Sequence, residues 1–128
     1  MCVAVTDKRP VNLDLNAFHF PLPAIASISH RVSGVALVAG IGVLIYMLDQ
    51  SLASEASFNE LKECMSSFWA KLIVWGVLSA LIYHSVAGVK HLIMDAGYGE
   101  TLEGGQLAAK LVFAISGVLI ILGGLWVW

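Results

Sequence analysis

The run His84-Ser85-Val86-Ala87-Gly88-Val89-Lys90-His91-Leu92-Ile93-Met94-Asp95 concentrates ionisable side chains in an otherwise apolar stretch. On a helix advancing about 100° per residue, His84, Gly88, His91 and Asp95 share one narrow stripe. Ionisable groups inside an apolar span are rare, and they mark functional sites facing protein, cofactor or water. A neutral imidazole so placed needs a partner for each ring nitrogen. A metal-bearing cofactor is one such partner, and a hydrogen bond to a serine or carbonyl of a neighbouring helix is the alternative.

A second group is Ser27-Ile28-Ser29-His30-Arg31-Val32-Ser33-Gly34. Ser27 and Arg31 are i, i+4 neighbours on a helix, so a hydroxyl and a permanent cation lie one turn apart and can receive a small polar head group. Alternatively, Ser27 caps the helix and Arg31 snorkels to lipid phosphate.

The elements that must position these groups follow from composition. The 128 residues are 59% hydrophobic and 12% charged, with a mean hydropathy of +0.85. That excludes an ordinary soluble domain and gives no basis for nucleic-acid binding. Val32 to Leu48 and Leu111 to Trp128 carry no charge, and Leu72 to Val89 has only His84 as an ionisable group. Each run extends at its ends to the ~20 residues needed to cross a ~30 Å hydrocarbon layer. The expected fold is an all-α integral membrane protein of three transmembrane helices, a single domain over 1–128 with spans near 24–50, 68–95 and 106–128.

Lys8, Arg9, Arg31, Lys90 and Lys110 flank one side of these spans, against Lys62 and Lys71 on the other. This bias predicts a cytoplasmic N-terminus. Phe68, Trp69, Trp75, Trp126 and Trp128 then gather at the outer interface as an aromatic belt. Residues 1 to 20 read as a polar cytoplasmic arm without a cleavable signal, and Pro21-Leu22-Pro23 as a stiff turn before a helix starting near Ala24. The outer connection carries Asp49, Glu55, Glu60 and Glu63, with an amphipathic helix around Phe58 to Met65. Gly97-Tyr98-Gly99 and Gly104-Gly105 are expected to break the chain after the second span. Cys2 and Cys64 fall on opposite sides of the bilayer and are not spaced as a metal pair.

Haem suits the stripe better than other ligands. An imidazole can hold its iron, while its propionates require cationic or hydrogen-bonding groups nearer the interface. His84 lies six residues before Lys90, about 9 Å of helix rise from the cytoplasmic charge band. His30, Arg31 and His91 are at heights suited to propionates, with His30 at the edge of the bilayer. Gly88, one turn from His84, removes a side chain where a flat macrocycle would meet the helix. His84 and His91 cannot share one iron, since they are separated by about 10.5 Å of rise and trans imidazole nitrogens lie ~4 Å apart. The third span contains no histidine, so a second axial ligand comes from another polypeptide.

The pattern Arg9-Pro10, Ser27-x-x-His30-Arg31-x-Ser33-Gly34 and His84-x-x-x-Gly88-x-Lys90-His91-x-x-x-Asp95 resembles the cytochrome b membrane-anchor subunit of bacterial and mitochondrial succinate dehydrogenase, respiratory complex II. The resemblance covers nearly the whole chain and is closest to the enterobacterial type in Arg9 to Leu15 and Leu125 to Trp128. It implies a multi-pass subunit of the bacterial inner membrane, working in electron transport and the tricarboxylic acid cycle. It implies that His84 is an axial ligand of haem b, with the other supplied by a second membrane-anchor subunit. His30, Arg31 and His91 match positions around the haem propionates, and Ser27 and Arg31 match ubiquinone-site residues. Asp95 matches a position of structural or proton-related role. Lys90 departs from the family, which commonly has arginine there, so the charge survives without the bidentate fork.

Nothing in the chain resembles a flavin fingerprint or a cysteine set for an iron-sulfur cluster, so no residue is assigned to succinate oxidation itself. Flavoprotein and iron-sulfur subunits are the expected electron source, and ubiquinone the acceptor. The alternatives are the anchor of a quinol:fumarate reductase, or a small haem-free transporter or proton-conducting subunit with His84, His91 and Asp95 as a relay.

Overall fold

The computed structural model describes residues 20–128, so Cys2, Lys8, His19, most of the proposed arm and the motif from Arg9 to Leu15 lie outside it. Four helices follow in order: α1 (Leu22–Ala53), α2 (Glu55–Cys64), α3 (Phe68–Asp95) and α4 (Leu102–Val127). The three long helices have the length and composition to cross a membrane. α3 packs against both α1 and α4, α1 also touches α4, and α2 returns along the end of α1.

Each helix start has a local cause. α1 begins at Leu22, two residues before the sequence expectation, with Pro21 as its N-cap and Pro23 in the first turn. Proline there costs no hydrogen bond and presets φ. Ser54 caps α2 by accepting from Ser57 N at 3.1 Å, which starts that helix three residues before the expected Phe58. Ser67 caps α3 through Ala70 N. Gly97 and Gly99, at φ 88° and 74°, then turn the chain out of α3, a conformation that costs glycine no Cβ clash.

Gly104 and Gly105 depart from expectation. Neither breaks the chain, and both lie inside α4. Thr101 accepts from Gly104 N at 3.0 Å and caps the helix there. A Cβ on Gly104 would come within 2.8 Å of Gly99 O, so this glycine allows the turn to fold against the helix rather than ending it.

The buried positions are small: Ala26, Ser33 and Gly40 on α1, Ala87 on α3, and Gly105, Ala109, Val112 and Ser116 on α4. Large aliphatic side chains such as Val35, Val38, Leu81 and Ile121 point outward. This arrangement suits lipid, where burial of leucine yields little and association depends on close backbone approach and interhelical hydrogen bonds. Trp75 Nε1 donates to Ile120 O at 3.0 Å, and a Cβ on Gly124 would sit 3.1 Å from that nitrogen. Tyr83 OH donates to Ala26 O at 3.1 Å and ties α3 to α1. Phe68, Trp69, Trp75 and Trp128 form a chain of ring contacts at the other end, with centroids 5.5 to 6.0 Å apart, while Trp126 is exposed.

Candidate functional site

Three histidines meet where α1 and α3 pack. The His30 and His84 rings stack with centroids 4.1 Å apart and planes 15° from parallel. His91, two turns after His84, approaches His30 at 5.1 Å with a 45° tilt. His84, Gly88 and His91 share the α3 stripe foreseen from helical periodicity, and that stripe faces His30. Asp95 is the last residue of α3 and is exposed.

His84 is held through one nitrogen only. Its Nδ1 lies 3.1 Å from His30 O and 3.2 Å from Ser33 Oγ. Its Nε2 makes no hydrogen bond among the described residues. The interhelical hydrogen bond considered as an alternative to ligation is therefore present, but it accounts for one side of the ring. Gly34 completes the seat, since a Cβ there would come within 3.1 Å of His84 Cε1.

His30 does not sit at the edge of the structure. α1 starts at Leu22, which puts His30 in its third turn and level with His84, beside the candidate ligand rather than a turn removed from it. Its Nε2 is buried and has no hydrogen-bond partner among the described residues. A Cβ on Gly88 would lie 3.7 Å from that nitrogen, so Gly88 keeps open the space beside it.

Ser27 is half-buried and Arg31 exposed, and they bracket His30 on α1. Ser27 lies six residues inside the helix start, so it is not an N-cap. Lys90 belongs to a different surface, lining with Tyr98 and apolar side chains a groove of about 490 Å³ between α3 and α4.

This donor set fits a haem rather than a metal held by protein alone. No three His, Cys, Asp or Glu side chains among the described residues converge on one point. One imidazole whose Nε2 makes no hydrogen bond among the described residues, beside a buried His30 nitrogen that also lacks a partner among them and can donate to a propionate, suits a macrocycle that brings four of its own iron ligands.

Ser33 and Gly34 are site residues to which sequence reasoning gave no role. Ser33 and Gly34 lie three and four positions after His30, so helical spacing puts them near its face. That they meet His84 depends on how α1 and α3 are aligned.

Comparison with known proteins concerns the chain as a whole. Residues 5–123 match the family model described as succinate dehydrogenase/fumarate reductase transmembrane subunit. The chain is 45% identical over 122 residues to the succinate dehydrogenase cytochrome b556 subunit of Coxiella burnetii, covering 94% of this chain and 98% of that one. It is 37% identical over 115 residues to the cytochrome b556 subunit of Paracoccus denitrificans, covering 90% and 88%. The mitochondrial cytochrome b560 subunit of Sus scrofa is 30% identical over 98 residues, covering 74% of this chain and 57% of that one.

Proposed function

The chain belongs to the succinate dehydrogenase/fumarate reductase transmembrane subunit family, as a cytochrome b membrane-anchor subunit of succinate dehydrogenase, and from that premise we propose that His84 is its axial ligand to haem b. A second membrane-anchor subunit supplies the other ligand, because His91 lies two turns of α3 from His84 and α4 has no histidine. The observation that carries the reading is the fixed His84 ring, with Nδ1 engaged by α1, one face stacked on His30 and Nε2 without a hydrogen-bond partner among the described residues. When bound, the haem supplies a one-electron carrier whose potential its axial ligands and their hydrogen bonds tune.

The other residues act around that ligand. His30, whose buried Nε2 has no partner among the described residues, Arg31 and His91 are suited to bind the propionates as hydrogen-bond donors. Ser27 and Arg31 form one wall of the ubiquinone pocket. Reduction of a quinone to its quinol takes two electrons and two protons, so the ring must be near both water and an electron donor. The Ser27 hydroxyl can donate to a ring carbonyl, and the Arg31 guanidinium stabilises negative charge arriving there at any working pH. Flavoprotein and iron-sulfur subunits deliver the electrons.

The Lys and Arg distribution supports an N-terminus on the cytoplasmic side of a bacterial inner membrane, with the quinone pocket at that face. The sequences from Arg9 to Leu15 and Leu125 to Trp128 support the enterobacterial type.

His84→Leu tests the ligand. The purified complex should lose or alter its haem absorption and the ferric haem electron paramagnetic resonance signal. Wild-type spectra from that variant would remove His84 from the iron.

A further inference from the structure

Ser33 is 9% exposed, and its hydroxyl lies between two groups of the haem-ligand seat. Its Oγ donates to His30 O at 2.7 Å and is 3.2 Å from His84 Nδ1. The same His30 carbonyl is 3.1 Å from Nδ1. A hydroxyl has one proton, and a carbonyl has none. With the Ser33 proton directed at the carbonyl, Nδ1 faces two oxygens that can only accept. Nδ1 must therefore bear the ring hydrogen, and Nε2 the lone pair. That is the tautomer a metal-ligating imidazole requires, and the hydrogen bond at the far nitrogen sets both ring orientation and ligand basicity.

We infer that Ser33 is the positioning residue for the axial ligand: locked onto the His30 carbonyl, its hydroxyl fixes the tautomer and rotation of His84 and strengthens electron donation from Nε2. This rests on the reading of His84 as the haem ligand. The carbonyl alone is a poorer partner, since a helical carbonyl has a backbone donor to serve as well as the serine that leans on it. Ser33 shares the Nδ1 hydrogen and keeps the ring from turning. A stronger bond at Nδ1 makes Nε2 more basic and favours ferric over ferrous iron.

The experiment is a redox titration of the haem in the purified complex, with ferric-haem electron paramagnetic resonance, for wild type, S33A and S33T. S33A should move the ferric-to-ferrous equilibrium about tenfold toward ferrous, a rise of about 59 mV for a one-electron couple. It should also weaken haem retention by about ten- to hundredfold. S33T keeps the hydroxyl and should hold the wild-type potential and g values. If S33A assembles without haem, S33T decides: haem held at the wild-type potential supports the inference, and haem lost from both overturns it. Wild-type potential and g values in S33A overturn it, as does a shift in S33T equal to that in S33A. A wild-type haem spectrum in His84→Leu would instead sink the ligand reading itself, whatever Ser33 does.

Discussion

Gly34→Ala is a small change aimed at the ring proposed to hold the haem. The new Cβ would lie 3.1 Å from His84 Cε1 and 3.5 Å from Nδ1. Carbon atoms rest at about 3.5 Å or more, so the imidazole has to retreat by about 0.4 Å. Little room is available, because His30 stacks on the ring at 4.1 Å. Moving Nδ1 by that amount would stretch its contacts at 3.1 and 3.2 Å to the limit of hydrogen bonding. Alanine gains about 0.8 to 1.0 kcal/mol over glycine in a helix interior, while overpacking costs about 1 to 3 kcal/mol. The gain offsets part of the cost, so assembly and thermal stability should fall by no more than about 2 kcal/mol. The ligand geometry has no such compensation. The haem-to-flavin ratio should fall and the ferric-haem g values should shift. Gly42→Ala is the control, since a Cβ there meets nothing within 4 Å. Wild-type haem content and g values in Gly34→Ala, or an equal effect from Gly42→Ala, would refute the seat.

Three further outcomes follow from other contacts. Ser27→Ala should slow succinate-to-quinone turnover by about three- to tenfold and Arg31→Ala by about ten- to hundredfold, as loss of a neutral and a charged hydrogen bond implies. Reduction of an artificial dye should persist in both, and unaltered quinone kinetics would take them out of the pocket. Trp75→Phe removes the bond to Ile120 O and should cost about 0.6 to 1.7 kcal/mol of complex stability, measured by the thermal dissociation midpoint; an unchanged midpoint contradicts the contact. Gly40→Ala puts a Cβ 2.9 Å from Val77 Cγ1, so it should destabilise the α1–α3 contact. Adding Val77→Ala should restore much of that loss, whereas simple additivity of the two would show that the side chains do not meet.

Local patterns in the chain carried a large part of the outcome. The three uncharged runs foretold α1, α3 and α4, since hydropathy and length alone decide whether a helix can lie in lipid. The 3.6-residue period set His84, Gly88 and His91 on one face of α3 before any neighbour was known. Gly97-Tyr98-Gly99 marked the turn because positive φ is a local demand. Gly104-Gly105 misled, as a glycine pair signals a break only where nothing caps or packs the segment. Here Thr101 caps the helix and Gly105 is buried in its packing face.

The sequence by itself determined the class of the protein, the number of its long helices, and the row of polar groups on the second of them. Tertiary structure alone decided what that row meets. Ser33, Gly34 and the His30 carbonyl reach His84 across 50 to 54 positions of chain, and the alignment of α1 along α3 brings them there. Periodicity fixes the faces of a single helix, but the offset between two helices is set by which small residues let their backbones approach. That choice is a property of the packed pair, and it gives an imidazole on an apolar span one fixed orientation.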